Sequence, residues 1–268
     1  MIKTLKKTLT FLKLFQSVKS FRFYDSLLQI ALYGMNKGSG SHVESSGELY
    51  NLKKIQLKHK TESSIIIFDV GANIGNYTKM ILDVFKNVDV SIHCFEPSFK
   101  TFQALCSNII DERVIKNNFG LSSNEEIKEL FMNKDLSGIA SVYNRNLTHF
   151  NIDMTQAEKS RFTSLDQYCK KNLVNNIFFL KIDVEGHELE VFKGANSMLP
   201  KIKYIQFEFG GSNIDSRTYF QDFFYLLKEK EFDIFLIMKD GLILIDKYSE
   251  RLEIFTTTNF MAINKKIN

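Results

Sequence analysis

Ser64-Ile-Ile-Ile-Phe-Asp-Val-Gly-Ala-Asn-Ile-Gly75 decides the fold of this chain. Its continuous apolar run lacks the alternation of a strand with one wet face, so it reads as a strand covered on both sides. Two glycines follow it. Gly71 lets the chain turn sharply and brings bare backbone against a ligand, and Gly75 lets the next helix pack close. Asn76, Tyr77 and Thr78 then supply helix-start N–H groups and polar side-chain atoms.

Outward from this turn, short apolar runs alternate with helical stretches. Strands are expected at 65–70, 90–95, 114–119, 177–183, 204–209, 232–238 and 255–263, and helices at 77–86, 99–109, 165–172, 189–198 and 217–230. That alternation implies parallel crossovers and predicts an α/β fold: a Rossmann-like, doubly wound, mostly parallel seven-stranded sheet with flanking helices, plus a short N-terminal helical extension. The alternation lapses between Leu121 and Leu165. There 127–132 reads as an extra strand, and 135–151 is polar and turn-rich, as expected of a loop at a sheet's carboxyl edge.

In such a sheet, ligands sit beyond the carboxyl ends of the strands. The spacing of Gly71 and Gly75 is not the G-x-G-x-x-G of dinucleotide sites, and no Walker lysine follows Gly75. Asp69 beside the loop would repel a pyrophosphate but attract an ammonium or a sulfonium. S-adenosylmethionine (SAM) carries both cations, so the loop favours SAM over NAD. Glu96, ending the second strand ahead of Pro97 and Ser98, suits the two ribose hydroxyls of an adenosine. Asn118 and Leu121, at the end of strand three, are placed to meet the adenine. The expected SAM-contacting set is therefore Asp69, Gly71, Ala72, Asn73, Gly75, Asn76, Tyr77, Thr78, Glu96, Pro97, Ser98, Asn118, Leu121 and Asp183.

Strand four delivers Lys181, Asp183, Glu185 and, after Gly186, His187 and Glu188. Asp183 and Glu185 alternate with apolar residues and share a face if the strand persists. Asp183 is the first choice for a base that deprotonates an acceptor or positions it, with Glu185 beside it and His187 an alternative. Asp183, Glu185 and Glu208 also raise a magnesium-binding possibility, but paired strand ends do not require a metal, and none is expected. Ser137, Ser141, Asn144 and Arg145 are candidates for an acceptor lid.

Phe68-Asp-Val-Gly-Ala-Asn-Ile-Gly75, Phe95-Glu-Pro97, Ser164-Leu-Asp166 and Phe179-Leu-Lys-Ile-Asp-Val-Glu-Gly-His-Glu188 together resemble the FkbM-type SAM-dependent methyltransferases. Ser46-Gly-Glu48 and Lys193-Gly-Ala195 fit the same pattern, and the resemblance runs over about residues 34–263. It implies a class I methyltransferase fold, with 49–268 as the SAM-dependent domain. It also implies O-methylation of a hydroxyl on a sugar, polysaccharide or natural-product acceptor. Competing readings are an NAD-dependent oxidoreductase on a similar sheet and a catalytically idle, membrane-associated adapter that retains the fold.

Charge separates the first segment, 1–48, from the rest. Residues 1–30 carry Lys3, Lys6, Lys7, Lys13, Lys19 and Arg22 against Asp25 alone, so the net +4 of the chain is an N-terminal property. The body is not a basic nucleic-acid surface, and no nucleic-acid partner is expected. A small-molecule or glycan acceptor is. Residues 1–30 either lie on an anionic membrane surface as a peripheral contact or pack an apolar side on the domain. Their apolar residues occupy much of the circumference, which favours packing. Gly and Ser density over 34–48 marks a loop. Cys94, Cys106 and Cys169 are scattered and form no C-x-x-C pair, which points to a reducing, cytoplasmic setting, and a peripheral contact through residues 1–30 would put the chain at the inner face of a membrane.

Overall fold

The structure is a computed structural model and describes residues 17–38, 46–62 and 64–267. The first described helix is α1 (Val18–Gly34), followed by α2 (Glu48–Lys58), β1 (Ser64–Val70), α3 (Asn76–Val84), β2 (Asp89–Phe95), α4 (Phe99–Asn108) and β3 (Val114–Asn117). The expected lapse in alternation holds β4 (Gly120–Leu121), β5 (Glu126–Met132) and β6 (Gln156–Thr163). The second half runs α5 (Leu165–Lys171), β7 (Ile177–Ile182), α6 (Glu188–Lys193), β8 (Ile202–Phe209), α7 (Ser212–Ser216), α8 (Phe220–Glu229), β9 (Phe232–Met238), β10 (Gly241–Ile245) and β11 (Thr258–Asn264).

The main sheet has the order β10-β9-β11-β8-β7-β1-β2-β3. Strands β3, β2, β1, β7 and β8 are mutually parallel, while β11 lies antiparallel between β8 and β9. All seven expected strands are present, but among the described residues the sheet has eight. The addition is β10, which folds back on β9 across Lys239-Asp240 as an antiparallel edge hairpin. Ile243 and Leu244 of β10 are exposed, so this edge strand has no core-facing run comparable to those that mark the inner strands. The extra strand at 127–132 is β5, which joins a separate small sheet of order β4-β6-β5.

Alternation along β1 explains the two-sided core. Ile65 and Ile67 face Leu52 and Ile55 of α2, Tyr77 and Ile81 of α3 and Leu105 of α4, whereas Phe68 and Val70 join a second cluster with α5, α6 and α8. That second cluster is built largely from Phe. Phe207 stacks on Phe223 at 5.5 Å between ring centroids, and Phe192 and Phe209 meet Phe223 edge-on. The Ser164-Leu-Asp166 motif is architectural. Ser164 caps α5 by accepting from Gln167 N, and the Asp166 carboxylate accepts from Ser197 N and Met198 N.

Of the described residues, α1 does not pack an apolar side on the domain. Only Leu32 in that helix is buried, which corrects the packing expectation for this part of the segment. No helix among the described residues is long and apolar enough to cross a membrane. The rest of the 1–30 segment and most of the 34–48 loop lie outside the described residues.

The Phe cluster predicts a large packing loss on truncation. Phe223→Ala should lower the unfolding free energy by about 3–5 kcal/mol in urea titrations followed by circular dichroism. Phe99→Ala, at a half-exposed helix start, should cost less than about 0.5 kcal/mol.

Candidate active site

The carboxyl ends of β1, β2 and β7 converge on a cleft lined by Gly71, Asn73, Glu96, Pro97, Leu121, Asp183, Glu185 and His187. Gly71 has φ +80°, and a Cβ there would overlap the carbonyl oxygen of Asp183. Glycine is therefore required by both the turn and the strand beside it. Gly71 N and Ala72 N both donate to Phe95 O, which pins the turn to β2. Gly75, with φ +93°, comes within 2.7 Å of Ile109 at the position of a Cβ, so it closes α3 onto α4 rather than touching the cleft.

Glu96 is buried. Its Oε2 accepts from Asn73 N at 3.0 Å and its Oε1 from Ser98 N at 2.9 Å, which locks the carboxylate at the cleft wall. Burial pushes its carboxyl up to about 7, against the pull of these two N–H groups. Asn118 donates to Glu96 O and Pro97 O, bracing the turn behind the wall rather than lining it.

Asp69 sits beneath the loop, fully buried, with Oδ2 accepting from Thr78 Oγ1 at 2.7 Å. Its Oδ1 has no hydrogen-bond partner and lies 3.7 Å from Lys181 Nζ. Lys181 also pairs with Asp183 at 3.1 Å and lies over the Tyr77 ring. Flanking carboxylates hold the Lys181 ammonium well above its ordinary range despite burial. Tyr77 OH donates to Gln206 Oε1, and Gln206 in turn donates to buried Glu48. Asp69, Tyr77 and Thr78 thus form a support layer behind the cleft, joined by Ala72, Gly75 and Ser98. Asn76 faces solvent. Of the expected set, Gly71, Asn73, Glu96, Pro97, Leu121 and Asp183 line the cleft, and the others stand behind or beside it. Gln206, a polar residue inside an apolar strand, was the available signal for this layer. Glu48 had only its place in a motif.

Asp183 and Glu185 both line the cleft. The strand does not persist through them. β7 ends at Ile182, and Glu185 (φ +51°) and Gly186 (φ +102°) form a left-handed turn. Glu188 holds that turn by accepting from Val184 N and Gly186 N, each at 3.1 Å. Its burial explains a carboxyl pushed up to about 7. The turn aims Glu185 at Arg145, which pairs with it at 2.6 Å and with Asp215 at 3.2 Å. Burial and neighbouring Asp183 push the Glu185 carboxyl up, to about 8, against the pull of Arg145.

His187 also reaches the wall, but both ring nitrogens are engaged, Nε2 with Ser122 Oγ at 3.0 Å and Nδ1 with Tyr143 OH at 3.3 Å. Burial lowers its pKa to about 4, so it is neutral near pH 7. The 135–151 segment does close over the cleft. Ser137, Gly138, Ala140 and Val142 line it, and Ser141 Oγ donates to Glu185 O at 2.7 Å. Asp183, Glu185 and Glu208 bring one oxygen each within 4.8 Å of one another. Two of the three already face cations, Asp183 through Lys181 and Glu185 through Arg145.

The strand order, the glycine turn and the acidic residue ending β2 define a class I methyltransferase domain. Residues 69–234, more than half of the chain, match the methyltransferase FkbM domain, and the chain belongs to that family of SAM-dependent methyltransferases. It is also similar to a hexuronic acid methyltransferase, AglP, of Haloferax volcanii, 27% identical over 173 residues, which cover 61% of this chain and 66% of the relative. The chain thus spans just under two thirds of that relative's length. Among solved structures, an FkbM methyltransferase from Methylobacillus flagellatus KT matches 79% of this chain and 47% of its own, at 15% identity and a TM-score of 0.45. The plantazolicin methyltransferase BpumL, solved with SAH, matches 94% of this chain and 92% of its own, at 10% identity and a TM-score of 0.46. Family membership sets aside the nicotinamide reading of the sheet.

The residues present fit the family's cofactor. Gly71 leaves bare backbone at the cleft, Glu96 offers carboxylate lone pairs for a ribose diol, and Asp69 adds an unsatisfied anionic oxygen just behind the loop. Because only the ionised Glu96 offers its full acceptor capacity, affinity for S-adenosylhomocysteine should fall by up to about tenfold as the pH drops from about 8 to about 6. Glu96→Gln should bind weakly at all pH values and lose this dependence in isothermal calorimetry.

Proposed function

We propose that this chain transfers a methyl group from SAM to a hydroxyl of a sugar or polysaccharide-type acceptor, with Asp183 as the base. SAM supplies an electrophilic methyl group activated by its sulfonium. Glu96 and the Gly71–Asn73 backbone would hold the adenosine side, and the buried carboxylates around Lys181 favour the positive charge. The observation that carries the reading is the placement of Asp183. Its side chain is 38% exposed, the most accessible of the carboxylates that the ion pairs hold at this edge, and Lys181 fixes it from behind.

A sugar hydroxyl needs its proton removed as attack proceeds, and a fixed carboxylate at the cleft wall supplies an acceptor for it. Lys181 orients Asp183 and compensates its charge without occupying the cleft. Arg145 holds Glu185 and, with Ser141, ties the 135–151 segment to the catalytic edge, which excludes water once the acceptor is seated. The Haloferax relative is named for a hexuronic acid, which carries a carboxyl as well as hydroxyls, and methylation of such a carboxyl is the second reading. Asp183, exposed at the cleft and held by Lys181, is placed to take a proton, which a hydroxyl acceptor needs and an ionised carboxyl does not. Magnesium has no part in this reading, since Lys181 and Arg145 already serve the acids that would bind it.

Methyl transfer from labelled SAM to glycan acceptors tests the proposal. The product should be an ether stable to mild alkali, whereas an alkali-labile ester would move the reaction to a carboxyl. Asp183→Asn should lower kcat by about 10²–10⁴-fold while calorimetry still detects S-adenosylhomocysteine binding. Turnover should persist in EDTA.

A further inference from the structure

Helix α1 leaves the domain with its apolar face uncovered. At about 100° per residue, Phe21, Phe23, Leu27, Leu28 and Ile30 share one broad arc with Ala31 and Tyr24. Lys19, Arg22, Asp25, Ser26 and Gln29 occupy the opposite arc with Val18 and Tyr33, and Ser20 is the polar residue within the apolar one. Phe21 is 68% exposed and Ile30 67%, and the others named in the apolar arc's first group are exposed as well. A soluble monomer rarely leaves so continuous an apolar surface in water.

We propose that α1 is a docking surface for an anionic lipid bilayer. Charge selects the occupant. Lys19 borders the apolar arc, Arg22 lies opposite it, and the sequence before the helix adds Lys3, Lys6, Lys7 and Lys13 with no acidic residue. Basic residues bordering an exposed aromatic and aliphatic face match the boundary between anionic headgroups and acyl chains.

The tether sets the orientation. Asn36 Nδ2 donates to Ile237 O at 3.0 Å, Gly38 N donates to Thr257 O at 2.9 Å, and Lys239 lies over the Tyr33 ring. Ile237 lies near the carboxyl end of β9, and Thr257 packs on Gly210, just beyond Glu208 at the end of β8. The helix is thus anchored to the sheet edge that carries Asp183, and docking it brings that edge toward the lipid. Nothing in this inference depends on the identity of the methyl acceptor.

Vesicle flotation of the full chain tests it. The protein should float with vesicles of equimolar phosphatidylcholine and phosphatidylglycerol, and bind pure phosphatidylcholine vesicles at least about tenfold more weakly. Binding to the anionic vesicles should weaken sharply at about 0.5 M NaCl. Phe21→Ser/Leu28→Ser and, separately, Lys19→Gln/Arg22→Gln should each weaken binding by about tenfold or more while S-adenosylhomocysteine binding is unchanged. Ile110→Ser, an exposed apolar site elsewhere, should bind like the parent. Failure of the parent to float overturns the proposal. So does equal binding to neutral and anionic vesicles, or a dimer in light scattering that the Phe21→Ser/Leu28→Ser pair converts to monomer, which would make the face a contact between two copies of the chain.

Discussion

The structure depends on a close approach between the turn after β1 and the end of β7. Gly71 meets the carbonyl of Asp183 where any side chain would collide, and Asp183 N bonds back to Val70 O at 3.0 Å. This contact fixes the spacing of two neighbouring strands, exposes backbone at the cleft and positions the carboxylate proposed as base. One missing Cβ thereby serves both the packing of the sheet and the chemistry at its edge.

Around this contact, charge is buried in layers rather than scattered. Lys181 lies between Asp69 and Asp183, with Tyr77, Gln206 and Glu48 in a polar chain behind it. Arg145 serves Glu185 and Asp215 on the other side. Breaking one member of such a set leaves its partner buried and uncompensated, which is why the support layer constrains the wall as firmly as the core does.

Much of the family pattern proves architectural. Asp166 ties α5 to the segment after α6, Glu188 holds a left-handed turn, and Gly194 approaches the backbone of Ser122. The same residues that make the sequence recognisable mostly secure the turns that present Asp183 and Glu185. The 135–151 segment is the part of the cleft with least pattern, and its residues reach the site through tertiary contacts from Ser141 and Arg145.

The inner strands, their parallel order, the glycine turn and the acid ending β2 were legible in the sequence, because apolar runs and glycines report local burial and backbone geometry. The eighth strand was not: 242–245 is an apolar run too, but it is short and half exposed, and only its pairing back on β9 makes it a separate edge strand. Which of the residues near the loop would line the cleft was also hidden. Asp69, Tyr77 and Thr78 look like ligand groups in the chain, yet three-dimensional partners draw them behind the wall, since a buried polar atom must find a partner wherever the fold supplies one. The fate of the basic N-terminal helix divides the same way. The sequence determined that its segment is basic and rich in apolar residues, while only the tertiary structure decided that, among the described residues, Leu32 alone of the helix is buried.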